Sequence, residues 1–346
     1  MTLSKALHES MLGKLKSIFR SSNDGLILMY HRIHDADADP WQLSVSPENF
    51  EQQLQVLTRY YNVLPIVTFL EHRQANVLKR NSVCLTFDDG YADNYDNARP
   101  LLLKYNVPAT FFISSAFINT DELFWWDELA TLILQTPRLP LKVTLKLPDE
   151  NFTFIINQDV LTEEGRAKIR HWHYPQAPPT QRCDLYLAIW ERLQRLSLSE
   201  IQLVIQQLRV MTASVAPSKD WASYPMTSLQ LDSLFNSPLF SAGIHTATHP
   251  ALALQSPKTQ TAELLECASY LKRYGSERPL PIAYPYGSYN EDTLSIVAQM
   301  NVPAGFTTNP SVVNAGSNPL TLGRFQVENW GGQSFRKQLK EWRSTR

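Results

Sequence analysis

The apolar positions in the first third of the chain fall into a repeating order. Residues 26–30 form an unbroken apolar run of strand length behind the turn-forming stretch 21–25. A short run with no polar alternation reads as a strand buried on both faces. Pro47 after Ser46 is a helix-start signature, with Phe50, Leu54 and Leu57 at helical spacing behind it. A second helix is expected from Val67 into the early seventies. Residues 83–87 are a second buried strand, broken by Asp88, Asp89 and Gly90; 97–105 has helical spacing and 109–113 is a third strand. Strand alternating with helix at this rhythm predicts an α/β fold with parallel β/α units, whose sites gather at the carboxyl ends of the strands. His31, Asp88 and Asp89 stand at that edge.

From residue 119 the rhythm changes. Trp125-Trp126-Asp127 opens a stretch with a hairpin expected at 141–147 and 152–156 and helices at 185–196 and 201–211. The β/α order resumes with a helix at 228–235, a strand at 240–244 and a long helix at 259–274. Short strands at 282–284 and 304–307 follow, with a helix at 292–300 between them. This divides the chain into a discontinuous domain, 26–118 with 219–346, and an insertion, 119–218, read as a lid or substrate-selecting subdomain. Residues 1–25 carry an amphipathic helix, with Leu7, Met11, Leu15, Ile18 and Phe19 on one side and Lys5, Lys14, Lys16 and Arg20 among the rest. Such a helix docks on its own domain or lies on an anionic membrane surface.

Composition narrows the class. With 43% apolar and 11% aromatic residues the chain can bury a large core. Its 32 Lys and Arg against 33 Asp and Glu leave a formal charge of −1, without the positive field that a nucleic-acid-tracking protein needs. The three cysteines, Cys84, Cys183 and Cys267, form no C-x-x-C pair and cannot all be disulfide-bonded, which suits a reducing compartment. No apolar run reaches the 18 or so residues that span a bilayer, and the first residues lack the apolar core of an export signal. The expectation is a cytoplasmic protein, with peripheral contact to the inner face of the membrane through residues 1–20 as the variant.

Two groups of residues carry chemistry. Thr86-Phe87-Asp88-Asp89-Gly90 ends a buried strand in adjacent carboxylates that face opposite ways, and Gly90 permits a sharp exit. The same triplet also serves as an ordinary turn. His245 and His249 follow a strand at a spacing that can place two imidazoles on one helical face to grip one metal ion. Two histidines with one carboxylate form a common catalytic shell, and a second, unligated carboxylate can then act on water as a base.

These motifs resemble those of the polysaccharide deacetylases of carbohydrate esterase family 4, the NodB homology group. The family's T-F-D-D-G is present as 86–90, its H-[ST]-x-x-H as 245–249, and Ala283-Tyr284-Pro285-Tyr286-Gly287 is similar to its third motif. The resemblance spans about 26–118 and 224–327. It implies a distorted or incomplete (β/α) barrel with a mainly helical insertion. It also implies Asp88 as general base, and Asp89, His245 and His249 as ligands of one divalent ion, zinc first, with cobalt, nickel or iron as alternatives. The backbone N–H of Tyr286 would face the oxyanion, with Tyr284 and Pro285 beside the substrate.

Two departures stand out. Ala283 occupies the place of an arginine that orients the base, and Leu322-Gly323-Arg324-Phe325 replaces the L-x-H that supplies an acid. Leu28-Met29-Tyr30-His31-Arg32, however, resembles an early motif of the branch containing poly-N-acetylglucosamine deacetylases, which implies His31 as the acid. Arg324 is read as orienting Asp88, gripping a substrate carboxylate or forming a structural ion pair. Asp93 and Asn94 cap the next helix or line the cleft, and Trp125 and Trp126 pack a core or, Trp126 above all, stack on sugar. The function implied is metal-dependent removal of an N-acetyl group from a sugar or glycan precursor, lipid-linked or nucleotide-linked, in surface polysaccharide synthesis. The alternatives are an O-deacetylase, a small-amide hydrolase, or a catalytically impaired carbohydrate-binding relative.

Overall fold

The computed structural model describes residues 23–212, 223–275 and 279–344; the amphipathic segment at the N-terminus lies outside them. β1 (Gly25–Tyr30) is buried at all six positions, and the short β2 (Arg32–Ile33) pairs with β3 (Ser44–Val45) beyond its end. α1 (Pro47–Tyr60) starts where Ser46 accepts a hydrogen bond from the Asn49 N–H, and it buries Phe50, Leu54 and Leu57. β4 (Asn62–Val63) and α2 (Ile66–Gln74) lead into β5 (Ser82–Phe87), again buried throughout. α3 (Arg99–Lys104) and β6 (Ala109–Ile113) complete the first half.

The stretch that follows contains α4 (Trp125–Ala130), the antiparallel pair β7 (Lys142–Lys146) and β8 (Asn151–Ile155), α5 (Glu163–His171), α6 (Gln181–Leu193) and α7 (Leu198–Thr212). Its buried side chains form a cluster apart from the core of the main sheet, built on residues such as Leu129, Leu145, Ile189 and Val204. The second half runs through α8 (Ser228–Phe235), β9 (Phe240–Ile244), α9 (Pro257–Leu271), β10 (Ile282–Ala283), α10 (Glu291–Gln299), β11 (Gly305–Phe306), β12 (Phe325–Gln326) and α11 (Gly332–Ser344).

The main sheet is parallel in the order β11-β10-β9-β6-β5-β1-β12, with β4 beside the start of β5. Phe306 bridges to Leu322 shortly before β12, so the last segment returns to the far edge of the sheet. This is the curled, incomplete barrel expected from the sequence. In register, Tyr30 lies opposite Phe87 and Phe87 opposite Phe111, and the three rings stack across the strands with centroids 5.2 and 4.9 Å apart. Cross-strand aromatic pairs of this kind lock register. They sit one position before His31 and Asp88 and so level those two residues at the sheet edge. Among the described residues no helix is long and apolar enough to cross a membrane.

Gly243 on β9 shows how tightly the layer behind the site is packed. A Cβ at this position would press into the ring of Phe112 on β6. Gly243→Ala is expected to cost about 1–3 kcal/mol through overpacking, read as a lower denaturation midpoint; an unchanged midpoint would show that the Phe112 ring has room to move.

Candidate active site

Asp88 continues β5, its N–H donating to Tyr30 O at 3.0 Å. Asp89 then enters the left-handed region at φ 74° and Gly90 follows at 95°, so the two carboxylates leave the strand in different directions. Asp88 is held by Arg324 through two parallel bonds, Nη1 to Oδ1 at 2.7 Å and Nη2 to Oδ2 at 2.6 Å. Arg324 is fully buried and also donates to Thr86 Oγ1 and Thr307 O. Burial pushes the Asp88 carboxyl up, but the Arg324 guanidinium outweighs it and holds the group below the usual carboxylate range.

His31 Nε2 lies 3.9 Å from Asp88 Oδ2. Burial lowers the imidazole's pKa, against the opposing pull of the Asp89 and Asp88 charges. Its backbone carbonyl accepts from Asn94 Nδ2 at 2.7 Å, while Asp93 accepts from the Ile33 N–H and Arg32 Nε. Asp93 and Asn94 therefore pin the loop that carries His31 and do not cap the following helix.

His245 leaves the end of β9 and His249 follows in a loop, with Thr246 and His249 at φ 64° and 59°. The two imidazoles converge through left-handed turns and share no helical face. The loop is tied down by Thr246 Oγ1, which accepts the His249 N–H at 2.9 Å. It is also tied by Glu263 of α9, which accepts from the N–H groups of Ala247 and Thr248 and from the Thr248 hydroxyl. Glu263 gave no signal in the sequence, because an acid within a helical stretch does not reveal a partner loop 15 residues away.

Asp89, His245 and His249 present ligand atoms that all lie within 4.8 Å of one another, and all three residues are buried. His245 Nδ1 is 2.7 Å from Ala283 O. A carbonyl only accepts, so the proton sits on Nδ1 and the Nε2 lone pair faces Asp89 Oδ1 at 3.3 Å. His249 Nε2 is 3.2 Å from the same oxygen, which is buried and takes part in no hydrogen bond. Burial lowers the His245 pKa, but the facing carboxylates more than offset that and raise it; at His249 burial prevails and the pKa is lowered. A carboxylate oxygen and two imidazoles converging on one buried point fit a divalent transition metal.

The sequence model of the polysaccharide deacetylase family matches residues 75–136 and 211–305, segments that contain Asp88, Asp89, His245 and His249. Over these two segments the chain resembles that family. Poly-β-1,6-N-acetyl-D-glucosamine N-deacetylase of Staphylococcus aureus (strain N315) is 29% identical over 128 residues, covering 33% of this chain and 44% of that one. Its Staphylococcus epidermidis counterpart is 29% identical over 118 residues, covering 30% and 41%. The match thus spans less than half the length of these relatives. In fold, the chain is similar to the Streptococcus pyogenes deacetylase PplD solved with acetate, at TM-score 0.55 and 23% identity over 92% of this chain and 97% of that one. It is also similar to IcaB from Ammonifex degensii, at TM-score 0.56 and 17% identity over 92% and 96%.

Against this family background, the residues expected to touch substrate need correction. Arg324 has no exposed surface and is bonded to Asp88, Thr86 and Thr307, so it cannot grip a substrate carboxylate. It supplies a guanidinium to Asp88 where Ala283 cannot. Trp126 is buried, stacked on Phe124 at 4.8 Å, with its indole N–H on Tyr91 Oη and its ring 4.6 Å from His249. It supports the histidine and offers no open face to sugar. Tyr284 is fully buried with its hydroxyl on Leu320 O, and Pro285 is buried beside it. Tyr286 does reach the site: its backbone is left-handed at φ 57° and its ring stands edge-on to His249 at 4.6 Å.

Two outcomes follow. Arg324→Met leaves a buried carboxylate unpaired and is expected to cost about 3–5 kcal/mol in denaturant unfolding. Adding Asp88→Asn to that variant should recover part of the loss, whereas strictly additive losses would show that the pair is uncoupled. Glu263→Gln replaces one acceptor oxygen of the histidine loop with an amide NH₂; metal affinity measured against a chelating dye should fall about 10–100-fold, and an unchanged affinity would remove Glu263 from the site.

Proposed function

We propose that the protein is a metal-dependent hydrolase that removes the acetyl group from an N-acetylated amino sugar within a glycan or glycan precursor. The observation that carries this reading is the pairing of two unlike acids on one strand end. Asp88 is kept ionised and aimed by a buried arginine, while Asp89 is left to the two histidines. A metal-stapled binding protein has no use for the first of these, which argues against a catalytically impaired relative.

Asp89, His245 and His249 would hold the ion, zinc first by donor set, with cobalt, nickel and iron suiting the same groups. When bound, such an ion supplies Lewis-acid polarisation of the acetyl carbonyl and acidifies water. Asp88 accepts the proton of the attacking water as its oxygen bonds to the acetyl carbon. The Tyr286 backbone N–H donates to the oxygen that gains charge. His31 gives a proton to the nitrogen as the C–N bond breaks, releasing acetate and a free amine; burial makes its imidazolium a ready donor. Resemblance to the poly-β-1,6-N-acetyl-D-glucosamine N-deacetylases supports a surface-polysaccharide substrate. The three cysteines are buried and unpaired, which supports a reducing compartment and an enzyme at the cytoplasmic side, acting on a precursor that a lipid could carry.

The test is acetate release by the zinc-loaded protein from N-acetylated glycans and from matched O-acetylated ones. Asp88→Asn should abolish release while zinc still binds, and His31→Gln should lower kcat by about 10²–10⁴-fold. Full activity in Asp88→Asn sinks the mechanism, and release from the O-acetylated set alone redirects it to ester hydrolysis.

A further inference from the structure

The open aromatic rings near the metal ligands are not the tryptophan pair that opens the insertion. Trp41, between β2 and β3, Tyr174, between α5 and α6, and Trp190, on α6, come from three separate segments and meet. The Trp41 ring lies 4.2 Å from Trp190 and 5.0 Å from Tyr174. Trp190 stands edge-on to Tyr286 at 5.9 Å, and Tyr286 edge-on to His249 at 4.6 Å. A single ring therefore separates this wall from a metal ligand.

Unlike Trp126, these rings keep surface: Trp41 and Trp190 are half-buried and Tyr174 is 52% exposed. They are nonetheless fixed. Trp41 Nε1 donates to the hydroxyl of buried Tyr186 at 2.8 Å, Gln326 Nε2 donates to the carbonyls of Trp41 and Gln42, and the Tyr174 N–H donates to Pro40 O at 2.7 Å. Aromatic faces already held in place lose little freedom on binding. At the inner end Tyr286 Oη is buried and has no hydrogen-bond partner, a polar atom that a ligand hydroxyl can satisfy.

We infer that Trp41, Tyr174 and Trp190 form a sugar-binding wall that takes the apolar C–H face of a pyranose ring next to the acetylated one, with Tyr286 Oη meeting a hydroxyl. The inference rests on the glycan-deacetylase reading of the site. It assigns substrate selection to the junction of the insertion with the Trp41 loop. An aromatic face beside a polar tip is the surface that suits a ligand with one apolar face and a polar rim.

The experiment uses the full chain, zinc-loaded, with β-1,6-linked N-acetylglucosamine oligomers and the monosaccharide. Acetate release gives kcat and KM, and tryptophan fluorescence gives oligomer affinity in the Asp88→Asn protein. Trp190→Ala and Tyr174→Ala should each raise KM and weaken affinity for oligomers by about tenfold, with kcat within a few-fold and Trp190→Phe restoring most of the loss. If oligomer KM and affinity stay at the unmutated values, the wall is wrong and the deacetylase reading stands. A loss confined to kcat likewise overturns the wall, since Trp190 would then act only through Tyr286. If oligomers bind in a Trp190-dependent way but no acetate is released, the wall stands and the deacetylase reading falls; if no oligomer binds, the wall falls. Tyr174, at the exposed rim, keeps the test decisive where Trp190→Ala fails to fold.

Discussion

A guanidinium with no exposed surface must find fixed acceptors for its donors, and Arg324 finds them on two other segments of the chain. Its partners are Thr86 and Asp88 at the end of β5 and Thr307 just after β11, while Arg324 itself stands immediately before β12. Asp88 and Arg324 are 236 residues apart in sequence, yet β5 and β12 both flank β1, and it is the bond to Thr307 beyond β11 that brings the opposite edge of the sheet to the same guanidinium. Removing either partner would strand a buried charge. Burial alone would push the Asp88 carboxyl toward its neutral form, and the arginine reverses that preference. One guanidinium thus joins the two edges of the sheet and holds the Asp88 carboxylate oriented and ionised.

With Asp88 committed to Arg324, the chain has to send its next carboxylate elsewhere, and it does so through backbone that most residues avoid. Among the described residues, the left-handed positions other than glycine and asparagine are Gln42, Asp89, Thr246, His249 and Tyr286. Two are metal-ligand candidates, Thr246 braces the loop between the histidines, Tyr286 packs on His249, and Gln42 neighbours Trp41. Each such residue stores local strain that its surroundings must hold in place. The bonds from Glu263 and Thr246 and those of Gln326 to the Trp41 loop are what hold it.

Parallel strands buried on both faces leave continuous apolar runs, and that is why β1, β5, β6 and β9 were legible to within a residue and the carboxylates fell at the correct sheet edge. The histidine pair was legible as a metal motif through its residue types, but its helical spacing misdirected the local structure, because a loop of left-handed turns can bring the same two residues together. Arg324 remained ambiguous for a different reason: an arginine near a strand start reads alike whether it faces solvent, substrate or a carboxylate 236 residues away. Trp126 stays open between core packing and sugar contact in the sequence, which records an aromatic residue without recording which face is open. Trp41 and Trp190 drew no notice for the same reason. Their meaning depends on a contact between a loop of the first β/α unit and a helix of the insertion.

That contact is one of two ways in which the insertion is keyed to the reacting groups. Trp126 donates to the hydroxyl of Tyr91, which donates on to Asp127, and Arg32 lies over the Tyr91 ring and 3.6 Å from Asp127. Tyr91 follows Gly90 and Arg32 follows His31, so this polar chain runs from the first helix of the insertion to the loops that carry Asp88, Asp89 and His31. Burial raises the pKa of Asp127 to about 6 despite the nearby guanidinium. An inserted subdomain tied only by a flexible hinge could change its sugar-facing surface without consequence for chemistry. This one shares side chains with the loops that carry His31 and Asp88, so hydrogen bonds between side chains, and not a hinge, fix where its sugar-facing surface stands.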